Sequence, residues 1–425
     1  MNLFSFIAGV NAPKGLWEIL LRWINGSIGN LGWTLLLLTI LVKLVTTPLD
    51  FMVKYTTKKQ TLVQQKCAPQ IAKLRKKYGN NEQAIRTQTT ALYKREGLKM
   101  GTGCLMMVIN MVLTCVIFFT FYSSLRKVSA YEAIHQYEEI YANYENAYYQ
   151  GMADFKSDDE FVSAEYSKNW VKNAEDLSAE LVNLEKINEA DRTQEQKDRI
   201  TEIKTELLDI ETFTTNNEDL FTFATNKAGD AANKTWKDIK ESWLWVNNIW
   251  VADATTRPFP TYESLVKASK DAGKYYSEYV ANNIDKDEYT TIATHITSSS
   301  GVKYNGYYIL AVLAGVITLA QQIIADLHTK LKNKKANKLA KAANKQNQMS
   351  IKMMKIIMPI IMVAFVLTST ASFGIYILAS NVASIAFGEI IALIVNKMTQ
   401  KKRLEVEEEL EKEANRLIKK GQLQE

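Results

Sequence analysis

Residues with reactive side chains are scarce in this 425-residue chain, which holds three cysteines and three histidines. Cys67, Cys104 and Cys115 lack metal-ligand spacing and read as packing residues or surface thiols. His135, His295 and His328 are isolated from one another, which argues against a histidine-built zinc centre. There is no Walker-type glycine loop and no Ser/His/Asp set. Nothing here supplies a nucleophile, a general base or a nucleotide cradle, so the expectation is a protein that is not an enzyme, with no cofactor and no metal. Met1–Val10 has no positive n-region and no small-residue cleavage site, so it does not read as a signal peptide.

What the chain does have is hydrocarbon in long runs, at about 28–52, 103–125, 307–327 and 354–396. The last run is about twice the ~20 residues that one crossing needs, so it reads as two spans joined by a tight turn. Five transmembrane helices follow. The charges sort by side. Residues 54–99 carry 12 Lys/Arg against 2 Asp/Glu, and 330–355 carry 9 basic residues and no acid. Residues 127–303 carry 19 basic and 33 acidic residues, a net of −14. Lys/Arg-rich loops stay cytoplasmic. The expected topology therefore has an outside N-terminus, a cytoplasmic C-terminus and a large acidic external region.

Between and beyond the spans the pattern is helical. In 12–27, Leu16, Trp17, Leu20, Leu21, Trp23 and Ile24 share one face and Glu18 and Arg22 the other. That fits an interfacial helix, or equally an amphipathic helix packed on protein. Residues 58–97 read as two helices broken at Gly79-Asn80-Asn81, with Leu62, Val63, Ile71, Leu74 and Tyr78 facing Ala84, Ile85, Leu92 and Tyr93. The basic outer faces of this hairpin are either plain solvated surface or a site for anionic lipid or ribosomal RNA. In 131–149 the tyrosines recur at three and four, the mark of a helix–helix seam. Residues 162–210 read as a charged helical pair, and the tryptophans of 242–260 as an aromatic belt. In the tail, "LEVEEELEKEANRLIKK" reads as a helix solvated nearly all round.

Polar residues at membrane depth are functional hypotheses by default. Here they are Lys43, Asn110, Thr114, Gln321, Gln322, Thr368–Thr370, Ser372, Ser380, Asn381, Ser384 and Glu389. Ser and Thr hydroxyls commonly bond back to their own helix. For Asn110, Gln321 and Asn381, interhelical hydrogen bonds and a wet cavity are open alternatives. Lys43 lies eleven residues before Lys54, ~16 Å along a helix axis, which is farther than a lysine stem reaches. A water-filled pocket opening to the cytoplasm relieves that charge better than snorkelling does.

These residues fall into motifs that resemble the YidC family of membrane protein insertases. "LGWTLLLLTILVKLVTTPL" resembles the family's first core helix, which carries a basic residue and closes on Pro-Leu. Ala68-Pro69-Gln70-Ile71, Lys77-Tyr78 and Leu92-Tyr93-Lys94-Arg95-Glu96 resemble its cytoplasmic hairpin. Gly103-Cys104-Leu105 resembles the start of its second helix, "ILAVLAGVITLAQQ" its third, and "MMKIIMPIIMVAF…IYILASN" its last two. Three departures stand out. Lys43 occupies the usual arginine position, "STAS" (369–372) lacks the family's proline, and the acidic insertion is long.

The resemblance implies an all-α polytopic membrane protein in the bacterial cell membrane. Its five-helix insertase core would enclose a groove open to the cytoplasm, with a cytoplasmic helical hairpin and an α-helical extracellular insertion. The groove charge would be Lys43, lined by Asn110, Thr114, Gln321, Gln322, Tyr376 and Asn381, with Pro69, Ile71, Lys77, Tyr78 and Tyr93 in the hairpin that receives substrate. The implied partners are nascent membrane proteins, membrane lipids, the Sec translocon and the ribosome, and not DNA. The implied order is an interfacial helix (1–27), first span (28–53), hairpin (54–99), second span (100–126), acidic insertion (127–241) and aromatic interfacial segment (242–303). Then come the third span (304–329), basic loop (330–353), fourth and fifth spans (354–396) and charged tail (397–425). A solute transporter with Lys43 as counter-charge, and an adhesin-like scaffold, are the rival readings. The lack of inverted repeats and the basic hairpin speak against the transporter.

Overall fold

A computed structural model describes residues 9–79, 81–98, 100–155, 161, 163–301, 304–329 and 348–419. Among them are fourteen α-helices and no β-sheet, only two isolated bridges. The helices are α1 (Leu16–Ile28), α2 (Leu31–Tyr78), α3 (Glu82–Arg95), α4 (Met100–Asp154), α5 (Ala164–Glu185), α6 (Gln194–Asn216) and α7 (Glu218–Ile239). They continue as α8 (Tyr262–Ala272), α9 (Lys274–Asn283), α10 (Lys286–Ser300), α11 (Ile309–Thr329), α12 (Gln348–Thr368), α13 (Ala371–Met398) and α14 (Gln400–Lys419). Among the described residues α2, α4 and α13 are long and apolar enough to cross a membrane, and α11 and α12 carry shorter apolar stretches, Ile309–Ile324 and Ile356–Thr368. The protein is thus an all-α polytopic membrane protein. The basic run 330–347 lies outside the described residues.

Two helices, α2 and α4, set the long dimension. Each is more than twice as long as the ~20 residues that one bilayer crossing needs. Each runs unbroken from the apolar layer into a polar region, in opposite directions. One end of the bundle carries the acidic insertion and the other the basic hairpin. Pro48 and Pro69 lie inside α2. Proline offers no N–H to the ladder, and beside Pro48 the hydroxyls of Thr46 and Thr47 both donate to the carbonyl of Lys43, at 3.1 and 2.8 Å.

At the insertion end, α7 lies along the outer half of α4, with α8 and α10 against them. The tyrosine seam expected of 131–149 is here: Tyr131 and Tyr137 are buried, and the Tyr137 ring meets Tyr289 at 4.6 Å. The charged pair is α5 and α6, where the Arg199 guanidinium forks onto both oxygens of Glu180 at 2.9 and 2.8 Å. The same apolar core runs without interruption from Leu31 and Leu35 of α2 through Phe121, Ile134 and Trp236 to Phe373 of α13.

Three readings change. Trp243 and Trp250, with Trp236 on α7, are buried in that core and do not form a belt facing lipid. Residues 242–303 accordingly contain α8, α9 and α10 behind a tryptophan loop. In α1, Glu18 is 4% exposed and buried beside Leu21, Ile24 and Asn25, whereas Leu16, Ile19 and Trp23 face outward, Trp23 at 73%. The helix packs on α2 and α4 and shows an apolar strip to its surroundings, with Trp17 Nε1 donating to Thr120 Oγ1 at 3.1 Å.

The third correction concerns the tail. Val406, Leu410 and Ala414 form a narrow stripe at a four-residue period on α14, and they bury Leu62 of α2. Leu62 therefore packs on the tail and not on α3. The hairpin core is Val63, Cys67, Ile71 and Leu98 with Leu92 and Tyr93. α2 ends at Gly79, whose φ of 55° favours glycine. Lys73 pairs with Glu413 at 2.6 Å, and Lys66 with Glu409 and Glu96 at 3.3 and 2.9 Å, so the tail's acids lie against the hairpin's bases.

Candidate functional site

Burial along the membrane helices stops half-way. In α2, Leu31, Gly32, Thr34, Leu35, Leu38 and Thr39 are buried, and no further residue is until Leu62. In α4 every described residue from Leu105 to Thr120 is at least partly exposed, and burial begins at Phe121. Successive residues of a helix point about 100° apart, and Met107, Val108, Ile109, Met111, Val112 and Leu113 are all exposed. Among the described residues, no helix therefore closes over Met107–Leu113 of α4. α13, in contrast, is buried at intervals from Ala371 to Val395. The bundle is packed at its insertion end and open between α2 and α4 at its hairpin end.

The insertion end is sealed by two structures. One is aromatic: Phe118, Phe121 and Tyr122 of α4 meet Phe365 of α12 and Phe373 and Tyr376 of α13, with centroids 4.5–6.3 Å apart. The other is polar. Asn305, fully buried, accepts from Asn248 N–H at 2.8 Å, and its amide donates to the carbonyls of Asn248 and Ala252 at 2.8 and 3.2 Å. Asp253 accepts from Leu310 N–H at the start of α11, at 3.2 Å. Gly306 lies so close to that carboxyl that a Cβ would collide with it. Burial raises the Asp253 carboxyl to about 6, against the opposing effect of the Ala311 and Leu310 N–H groups. The α12–α13 turn is bound in too, with the N–H groups of Ala371 and Ser372 donating to the carbonyls of Val251 and Ile249 at 2.8 Å. This explains how "STAS" makes the turn without proline.

Lys43 sits where the packing ends. Its ammonium pairs with Asp50, two turns further along α2, at 3.3 Å, with side chains 24% and 21% exposed. The sequence reading treated Lys43 as a lone charge and missed Asp50. The i, i+7 spacing was the available signal, since both residues fall on one face. One turn beyond Asp50, Lys54 donates to the carbonyl of Gly388 on α13 at 3.0 Å, next in sequence to Glu389. Lys43, Asp50, Lys54 and Glu389 make a mixed-sign polar strip between α2 and α13, formally neutral overall.

The other expected lining residues fall in three places. Asn381 of α13 donates to Thr318 Oγ1 of α11 at 3.4 Å, an interhelical bond, and near it on α11 Gln322 Oε1 is buried without a hydrogen-bond partner, next to half-buried Gln321. Asn110 and Thr114 lie on the uncovered stretch of α4, where the Thr114 hydroxyl donates to the Asn110 carbonyl at 2.8 Å. Tyr376 belongs to the aromatic seal. In the hairpin, Pro69 and Ile71 are buried, Tyr78 and Tyr93 partly so, and Lys77 is exposed with its ammonium 5.5 Å from the Tyr78 ring. The side chain of Cys104 lies outside the described residues.

The matches to known proteins fall on this region. The family model of the 60Kd inner membrane protein matches residues 23–196, from α1 through the hairpin, α4 and α5 to the start of α6. The membrane protein insertase YidC of Chlorobium limicola is 33% identical over 104 residues, 24% of this chain and 17% of the relative. Over this stretch the chain is similar to the YidC insertases. The YidC insertase of Marinobacter nauticus is 31% identical over 107 residues, 25% of this chain and 18% of its own, and that of Jannaschia sp. 34% over 103 residues, 24% and 15%. The matched stretch spans less than a fifth of these YidC relatives' length. No solved structure matches.

Proposed function

We propose that this protein inserts nascent membrane proteins laterally into the lipid bilayer of the bacterial cell, with the recess at its hairpin end facing the cytoplasm. The observation that carries the proposal is the charge pair at the end of the packing. Full burial stops part-way along the apolar runs of both helices, at Thr39 of α2 and Phe121 of α4, and the Lys43–Asp50 pair follows one turn beyond Thr39. A polar segment crossing ~30 Å of hydrocarbon pays several kcal/mol for each unpaired polar group. Water admitted half-way shortens the dry path, and the uncovered face of α4 leaves an apolar segment free to move sideways into lipid. No bond is made or broken.

Asp50 changes the role expected of Lys43. A bare cation would attract any acidic tail from a distance, whereas a paired one exchanges partners. An acidic residue of the incoming chain takes the place of Asp50 on the ammonium, and a basic residue takes the place of Lys43 on the carboxylate. The recess therefore receives tails of either sign. The orientation follows the positive-inside sorting of 54–99. The hairpin's remaining bases, Lys76, Lys77, Arg86 and Lys94, with the 330–353 loop, offer the ribosome a salt-dependent contact. Cooperation with the Sec translocon enters through the family resemblance.

The test is complementation of a strain depleted of its insertase, reading insertion of single-span substrates with acidic tails. Lys43→Arg retains insertion, Lys43→Ala reduces it several-fold, and Lys43→Glu, which sets two carboxylates together, abolishes it. Exchange of the pair (Lys43→Asp with Asp50→Lys) restores part of the loss. Equal insertion by all four variants would refute the proposal.

A further inference from the structure

We propose that a cavity at the insertion end binds the phosphate of a lipid headgroup from the leaflet on that side. The cavity, of about 540 Å³, lies between α4, the 248–261 loop, α8 and the α12–α13 turn, away from the recess around Lys43.

Its level is fixed by the helices that border it. Tyr122 ends the apolar run of α4, and Thr368 ends that of α12. Both line the cavity, which therefore sits where hydrocarbon gives way to headgroups. Its charge departs from its surroundings. The region 127–303 carries a net charge of −14, yet the charged residues on the cavity wall are Arg126, Arg257 and Lys267 against one acid, Asp271. Three cations converging within an acidic domain call for an anion.

The donors on α4 are held without an acceptor. Arg126 Nε is buried and makes no hydrogen bond, and its guanidinium is propped against the Tyr122 ring at 5.1 Å. One turn on, the Ser129 hydroxyl is also buried and unpartnered, in a residue 3% exposed. Buried donors as a rule have partners, and these two share one face of α4 at the cavity wall. Guanidinium presents a planar fork that fits phosphate oxygens two at a time, and a serine hydroxyl supplies a third bond. The remaining wall combines the apolar Trp250, Phe259 and Leu265 with hydroxyls and amides, and the cavity is larger than one phosphate group fills, which suits the glycerol, its ester oxygens and the first methylenes behind the phosphate.

The probe is dihexanoylphosphatidylglycerol titrated into the full chain in uncharged detergent and read by native mass spectrometry. Dihexanoylglycerol and inorganic phosphate form separate arms. The short lipid binds saturably, the other two at least tenfold more weakly. Arg126→Gln weakens the lipid at least tenfold. The double variant Arg257→Gln with Lys267→Gln, at exposed positions that do not enter the core, weakens it three- to tenfold and so reads the site even where Arg126→Gln does not fold. Inorganic phosphate binding as tightly as the lipid would assign the site to free phosphate, and dihexanoylglycerol doing so would make it apolar. An acidic peptide displacing the lipid at lower concentration would make it a polypeptide site. Each of these, or unchanged lipid affinity in the double variant, overturns the proposal.

Discussion

The two ends of the bundle are built from the same helices to different standards of packing. Toward the insertion, α1, α2, α4, α11, α12 and α13 share one core, sealed by six aromatic rings and by a knot of backbone and asparagine hydrogen bonds. Toward the hairpin, no residue of α4 from Leu105 to Ile117 is fully buried, and α2 meets α13 through a lysine-to-carbonyl bond and a mixed-sign strip. A fully packed bundle would have no route for a substrate, and a fully open one would leak. Rigid closure at one end lets the other stay open.

The largest expected effect strikes the closed end. Asn305→Ala removes one acceptor and several donor contacts at a fully buried position, and leaves Asn248 N–H without a partner. At ~1–3 kcal/mol for each buried group left unsatisfied, the loss is about 3 kcal/mol or more. Thermal unfolding in detergent should show a marked fall for this variant, and almost none for Thr114→Ala at the open end. Similar shifts for the two would mean that the two ends are equally packed.

Next in size is the docking of the tail. Leu410→Ala empties a fully packed position and weakens α14's hold on α2 by ~2–4 kcal/mol. Hydrogen exchange across 400–419 should then speed up while the insertion stays protected. Unchanged exchange in α14 would mean that its stripe does not hold it.

A smaller effect appears with pH. The folded Asp253 carboxyl titrates at about 6, above its unfolded value near 3.8. Its burial in neutral form thus favours folding below about pH 4, and that contribution is lost as pH rises to about 6. Asp253→Asn should flatten the stability profile over this window. An undiminished slope would place the titration elsewhere. The smallest effect is Lys73→Ala, at an exposed pair, expected at ~0.2–1 kcal/mol and fading with salt.

Much of this was legible in the sequence because it rests on period and charge. The hydrocarbon runs, the break at Gly79, the tyrosine seam and the α5–α6 pair all follow from residues that repeat at helical spacing. What was hidden depends on partners far along the chain. Trp243 and Trp250 have the composition of a membrane belt, but Trp243 packs on Gly32 and Trp33 of α2, and the backbone flanking Trp250 binds the α12–α13 turn. On α14, three apolar residues among so many charges look like solvated surface until Leu62 covers them. Glu18 sits on the polar side of α1 by pattern, yet that side meets α2 and α4. In the recess the cation stands out inside an apolar run, whereas its counter-charge Asp50 lies beyond Pro48 at the polar end of that run and shows as a partner only through the i, i+7 geometry of α2.

The central claim is that nascent chains enter at the open end and not at the sealed one. A photocrosslinking amino acid placed at Thr46, one turn from Lys43, at Asn110 on the uncovered face of α4, and at Phe373 in the aromatic seal tests it directly with a ribosome-stalled single-span substrate. Adducts from Thr46 and Asn110 with none from Phe373 are the predicted result. Adducts from Phe373 as strong as those from Thr46, or from Phe373 alone, would contradict it.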